Sequence, residues 1–232
     1  MTHSFFEQAP TPTPTLVLVC KRPSLGFGKQ RLAAQIGIER AYVVAECLLD
    51  CGVEDLYQWP GNTIIAPDHA DHLGWAKSRA PFAQCIPQAQ GNLGERLNTL
   101  DQTLRTQSHE CLIFIGSDSP AITLTDYQNV LNALCEHDTV LINARDGGVV
   151  LMASSKPWPS LVNLPWSTAS LGGALRSTCL NNGHSVVCIG ECFDIDEAID
   201  FDILRSSLKF DLRPARLRLI EAISDLKGAL CD

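Results

Sequence analysis

No apolar run in the chain approaches the roughly 18 residues that a membrane span requires. The opening MTHSFFEQAPTPTPT also lacks the basic segment and following apolar stretch of a secretory leader, so a cytoplasmic protein with no membrane partner is expected. Positive charge is scarce: 18 Lys and Arg face 26 Asp and Glu, a formal net charge of −8. Nonspecific nucleic-acid binding needs a broad cationic face, so no nucleic-acid partner is expected. Neither GxxxxGKS/T nor GxGxxG occurs, which excludes a P-loop and a dinucleotide fingerprint on spacing.

What is present describes an ordinary globular chain. Apolar residues make up 45% and charged residues 19% of 232 positions, enough for a sizeable core. Ten cysteines would suggest a disulfide framework in a secreted chain. Here they lie mostly inside apolar runs, as in LVLVC, CLIF and LNALC, and read as small buried hydrophobes in a reducing compartment. The pairs Cys47/Cys51 and Cys188/Cys192 lack the tight CxxC form of a zinc site. His69 and His72 in PDHADH read as a polar helix start.

Short β-branched or apolar runs alternate with helical patterns along the chain. TLVLVC ends in the glycine loop KRPSLGFG and is followed by helical spacing from Gln30 to Cys51, with Gly37 placed to divide it. NTIIAP, CIPQ, CLIFIG, TVLIN, GVVLMA and SVVCIG mark further strands. Helical stretches lie between them, and a last one falls around RPARLRLIEAISDL. This order predicts a three-layer α/β/α domain with a mostly parallel sheet over residues 15–232, preceded by an extended lead-in at 1–14.

Ligands of such sheets bind beyond the carboxyl ends of the strands, and three of those ends carry charge. KRPSLGFGKQRL (21–32) pools Lys21, Arg22, Lys29 and Arg31 in an acidic protein. Gly26 and Gly28 permit close approach of backbone N–H groups to phosphate, the following helix offers its positive end, and Lys29 and Arg31 add charge. Asp118 in SDSP has the hardness to hold Mg²⁺ or Mn²⁺ against a diphosphate. Asp146 in RDGG is expected on the same rim. Plainer readings stay open: a solvated turn for the loop, a helix cap for Asp118 and for Asp194 with Asp196, and a hairpin turn for Asp146-Gly147-Gly148. WST (166–168) could equally be an N-cap with Trp166 in the core.

Six blocks, KRPSLGFGKQRLA, QGNLGERL, FIGSDSPAIT, ARDGGVVLM, LPWSTASL and FDIDEAIDF, resemble in order and spacing a bacterial family of GT-A-like transferases. These are sometimes labelled arsenosugar-biosynthesis glycosyltransferases and are related to 2-phospho-lactate guanylyltransferase and the molybdenum-cofactor nucleotidyltransferases. The resemblance covers about residues 15–205 and implies a nucleotide-diphospho-sugar transferase fold. It further implies a nucleoside triphosphate or nucleotide sugar as partner, a small-molecule acceptor, and Mg²⁺ or Mn²⁺ as cofactor; a homodimer is compatible with it. By the same resemblance Lys29 and Asp118 would be catalytic, with Asp118 and Asp196 as metal ligands. Lys21, Gly26, Gly28, Lys29, Arg31, Gln90, Gly94, Glu95 and Arg96 would contact the nucleotide. Asp146, Gly147, Gly148, Trp166, Ser167 and Thr168 would line the acceptor side. The chain departs from the family pattern at Gln30, Asn92, Ser119 and Val149, the last standing where the family has a tyrosine. A transferase and a catalytically reduced descendant that still binds a nucleotide or serves as a scaffold are thus the two functions to separate.

Overall fold

The computed structural model describes residues 13–228; of the expected lead-in, residues 1–12 lie outside that range. The run of strands and helices is β1 (Thr15–Cys20), α1 (Gln30–Ile36), α2 (Ile38–Gln58), β2 (Thr63–Pro67), α3 (Leu73–Arg79), β3 (Gln84–Cys85), α4 (Leu93–Thr106) and β4 (Leu112–Gly116). It continues with α5 (Leu124–Leu134), β5 (Thr139–Ala144), β6 (Val149–Ser154), α6 (Leu171–Asn181), β7 (Val186–Cys192), α7 (Asp200–Ser207) and α8 (Pro214–Gly228). One short 3₁₀ turn at Ala70–His72 opens α3, with His69 accepting from the Asp71 N–H. No helix among the described residues is long and apolar enough to cross a membrane.

The strands form one seven-stranded sheet in the order β3-β2-β1-β4-β6-β5-β7. Every pairing is parallel except those of β6, which runs antiparallel to both β4 and β5. The period of two along a strand sends alternate residues into opposite layers. Leu16, Leu18 and Cys20 enter a core shared with Leu32, Val44, Leu48, Tyr127, Leu204 and Leu219. Val17 enters the other, among Leu97, Leu100, Leu104, Leu161 and Leu175. Helices therefore cover both faces, as the buried strand composition predicts. The nine described cysteines are free. Burial pushes the thiols of Cys20 and Cys51 up to about 12, which keeps them protonated and apolar in character.

Chain order reverses between β1 and β4: from β1 the sheet grows one way to β2 and β3, and the other way to β4. This is the topological switch point, where two loops diverge and a crevice opens beyond the carboxyl ends. Gly37, at φ 90, divides α1 from α2 as expected. α1 is short, with seven residues, and its N-cap position is Lys29 itself.

Candidate functional site

A cleft of about 750 Å³ lies at the switch point. The loop after β1 lines one wall with Lys21, Arg22, Phe27, Gly28 and Lys29, the end of β4 contributes Gly116, Ser117 and Asp118, and Asp196 closes the side. Asp68, Gln88 and Arg96 line it as well. A second concavity, about 540 Å³ between α2 and α8, is lined by residues such as Val43, Arg218 and Ala222 and by none of the sequence-predicted ones.

Lys29 is the joint of the first wall. It adopts φ 45, the left-handed region that a non-glycine residue enters only at a cost. Its ammonium donates to the Ile195 carbonyl at 2.6 Å and lies 3.1 Å from Asp118 Oδ1 and 3.3 Å from Asp196 Oδ1. Its side chain is only 9% exposed, against 48% and 39% for the two carboxylates, so the lysine sits beneath them and they face the cleft. Arg31 reaches Asp196 from outside at 3.1 Å. The two acidic segments are also stitched by backbone, Ile195 N–H donating to the Asp118 carbonyl, and by the Ser119 hydroxyl donating to Asp194. Burial pushes the Asp194 carboxyl up to about 6, the Ser119 hydrogen bond opposing the rise and the Asp118 charge adding to it.

Asp118 therefore caps no helix; Thr123 does that for α5. Whether these carboxylates fit a divalent cation rests on their donor set. Asp118 and Asp196 offer hard, half-exposed oxygens, one from each meeting at the Lys29 ammonium. Among the described residues no group of three or more His, Cys, Asp or Glu is placed to hold a metal. Two carboxylates completed by phosphate oxygens and water suit Mg²⁺ or Mn²⁺.

The other cations of the lining differ in kind from Lys29. Arg96 lines the cleft, yet its buried Nε has no hydrogen-bond partner. Among the described residues the side chains of Lys21, Arg22 and Arg96 form no ion pair. Gln88 and Asp68, which the sequence reading did not single out, also line the cleft. Asp68 Oδ1 accepts from the Arg22 N–H at 3.3 Å and pairs with His72 Nδ1 at 2.8 Å.

The remaining predicted residues divide. Trp166 and Ser167 line the cleft, Ser167 at φ 61; Thr168 turns away and donates to the Pro165 carbonyl. Asp146, Gly147 and Gly148 stand on the carboxyl edge of the sheet that β1 and β4 share, as expected for Asp146, but the cleft lining begins only at the next residue, Val149. They make the β5–β6 hairpin turn, with Gly148 N–H on Asp146 Oδ1 and the Gly147 carbonyl accepting from Gly172 N–H. β6 inserts between β4 and β5, so this turn lies along that edge beyond β4, next to the switch point. Gln90, Gly94, Glu95, Gly26 and Arg31 are likewise absent from the cleft lining. Glu95 completes a capping box with Asn92 at the start of α4. A Cβ on Gly94 would stand 2.1 Å from the Leu161 carbonyl oxygen, so this glycine serves packing. The Asn92-x-x-Glu95 pattern was the sequence signal for the cap.

The profile of a family described as "Uncharacterized protein conserved in bacteria (DUF2064)" matches residues 53–168. No curated protein matches the sequence. Among solved structures, a protein from Desulfovibrio desulfuricans G20, named provisionally as a nucleotide-diphospho-sugar transferase, is similar with TM-score 0.82 at 20% identity, covering 93% of this chain and 97% of that one. A cytidylyltransferase from Leptospira borgpetersenii serovar Hardjo-bovis gives TM-score 0.52 at 13% identity, covering 93% and 95%. The 4-diphosphocytidyl-2C-methyl-D-erythritol synthase of Anaerococcus prevotii DSM 20548 gives 0.52 at 12%, covering 85% and 100%. At such identities the likeness establishes the fold, and activity must be argued from the site.

Proposed function

The chain belongs to the DUF2064 family, and from that premise we propose that it is a metal-dependent transferase acting on a nucleoside triphosphate or nucleotide sugar. It moves a nucleotidyl or glycosyl group to a small acceptor. The observation that carries this reading is Arg96: a guanidinium in a cleft wall, its Nε buried and partnerless, beside two further cations that no carboxylate neutralises. A buried donor without a partner is costly, and a polyphosphate would satisfy it with charge-assisted bonds.

In this reading Lys21, Arg22 and Arg96 grip phosphate oxygens while Asp118 and Asp196 hold Mg²⁺ or Mn²⁺ against them. The bound cation supplies charge neutralisation at the phosphates. Lys29 keeps the two carboxylates converged and adds positive charge where the leaving phosphate becomes more negative. Trp166 and Ser167 border the space left for an acceptor. The six sequence blocks that resemble the arsenosugar-type glycosyltransferases favour glycosyl transfer, and the fold relatives that are cytidylyltransferases favour nucleotidyl transfer. Both use the same polyphosphate grip.

A second reading, a nucleotide binder without catalysis, draws on the same Lys29. Its ammonium and the Arg31 guanidinium together already balance Asp118 and Asp196, so the pair is neutralised without a metal. Thermal unfolding against a panel of nucleoside triphosphates and nucleotide sugars, with and without Mn²⁺, separates the two. A ligand at a hundredfold excess over Kd stabilises by about 2.7 kcal/mol. The transferase reading expects the shift to grow with Mn²⁺ and the Mn²⁺ increment to vanish in Asp118→Ala. A shift indifferent to Mn²⁺ leaves only the binder, and no shift with any nucleotide ends both readings.

A further inference from the structure

Gln88 is a buried polar side chain in the wall of the cleft, 6% exposed. Its backbone N–H donates to the Pro67 carbonyl at 2.9 Å, which docks it against the end of β2. Its Nε2 donates to the Ala66 carbonyl at 2.7 Å and to the Cys20 carbonyl at 3.2 Å. Both amide hydrogens are thus committed to the carboxyl ends of β1 and β2. The amide cannot turn over, because that would press Oε1 against two carbonyl oxygens with no hydrogen between them. Oε1 is left buried with no partner. Its wall neighbour Asp68 is an acceptor as well, already bonded through Oδ1 to Arg22 and His72.

An amide pinned in this way can only accept. It takes an N–H from a ligand and refuses a carbonyl at the same place, since oxygen would then face oxygen. The geometry points to Gln88 as a base-reading residue, whose Oε1 accepts a hydrogen bond from the exocyclic amino group of a nucleobase. This rests on the nucleotide reading of the cleft and narrows its substrate class to nucleotides with an amino-bearing base. The discrimination is between amino and carbonyl, or amino and hydrogen, at one ring position. It favours cytosine over uracil if a pyrimidine is read, and adenine or guanine over hypoxanthine if a purine is read. The cations Lys21, Arg22 and Arg96 contact phosphate whichever base is present, so they set affinity while Gln88 sets the choice.

Titration calorimetry of the intact chain with matched nucleotide pairs, in Mg²⁺, tests this. The pairs are CTP with UTP, ATP with ITP, and GTP with ITP. The amino-bearing member of one pair is expected to bind at least about tenfold more tightly, the usual penalty for leaving a buried acceptor unpaired. Gln88→Met should erase that ratio, mainly by weakening the preferred nucleotide. Should Gln88→Met fail to fold, Gln88→Asn withdraws the oxygen by one methylene and is expected to reduce the ratio. Equal affinities within all three pairs, or a ratio that survives in a folded Gln88→Met or Gln88→Asn protein, overturns the assignment while leaving the nucleotide reading intact. Failure of every nucleotide to bind removes both.

Discussion

Arg216 and Arg96 carry the same guanidinium on opposite faces of one sheet, and they are used in opposite ways. Arg216 is fully buried, with Nη2 on Asp55 at 2.7 Å, Nη1 on the Cys51 carbonyl at 2.6 Å and on Glu54 at 3.0 Å, and Nε on the Pro120 carbonyl at 3.2 Å. It straps α8 and α2 to the segment that begins with Asp118. Arg96 lines the cleft with a buried Nε bonded to nothing. A saturated guanidinium has no donors left for a ligand, whereas an unsaturated one beside a cavity does. The difference separates scaffold from site more sharply than charge alone, because both residues are cationic. Lys29 shares both characters: three partners hold it in place, and two of those partners face the cleft.

The largest effect comes from breaking the saturated side. Arg216→Met keeps the bulk but leaves Asp55 half-neutralised in a site closed to water. Arg213 Nη1 at 2.8 Å and the Tyr127 hydroxyl at 3.0 Å remain as its partners. Breaking a buried pair costs about 3–5 kcal/mol, and the surviving partners hold the loss near the lower end. Urea unfolding measures it. A change below about 1 kcal/mol would mean that the strap does not carry the fold, and the comparison would lose its first half.

The next test sets Arg96 against Lys29. Arg96→Met is expected to weaken binding of a nucleoside triphosphate with Mg²⁺ by about tenfold, or about 1.4 kcal/mol, and to leave stability within about 0.5 kcal/mol. Lys29→Met should reverse the emphasis. It leaves Asp118 and Asp196 facing each other and strands the Ile195 carbonyl, with a stability loss of about 1 kcal/mol, moderated by the exposure of the two carboxylates. Calorimetry and denaturant unfolding on both variants give the four numbers. If Arg96→Met costs stability and spares affinity, the unsatisfied arginine is scaffold after all.

Much of the fold was legible because strands buried on both faces read as short continuous apolar runs, and the glycine loops between them are punctuation that sequence displays. LVLVC, CLIFIG and VLIN needed no structure to be recognised. The reversed direction of β6 was visible only as the plain turn reading of Asp146-Gly147-Gly148. Site residues fared by range. Lys29 and Asp118 could be paired by supposing that strand ends share a rim, but the left-handed backbone at Lys29 that directs its side chain under both carboxylates depends on contacts 166 residues away at Ile195. Gln88 carries no local mark: its two carbonyl partners belong to different strands, and the more conspicuous Gln90 two residues on is exposed. Unsatisfied valence, the property that singles out Gln88 and Arg96, exists only once the surroundings are assembled.

The smallest prediction places a satisfied charge on the surface, at the end of the sheet away from the cleft. Asp138, just before β5, accepts from the Ser185 N–H and hydroxyl at 2.8 Å each and from Lys156 Nζ at 3.0 Å. The Ser185 backbone hydrogen bond, aided by Lys156, holds its carboxyl down at about 2, below the ordinary 3.8. A depressed carboxyl contributes stability that is fully present above its unfolded value and is lost as pH falls through the folded one. Solvent screening at this partly exposed position cuts the contribution to about 1 kcal/mol. The stability gap between the wild-type chain and Asp138→Asn should therefore narrow by about that much from pH 5 to pH 2, with nucleotide affinity at neutral pH unchanged. A gap that widens on acidification would reverse the sign and show that hydrogen bonds to the ionised form do not fix this corner. The ranking from Arg216 to Asp138 would then follow something other than how completely each charge is enclosed and paired.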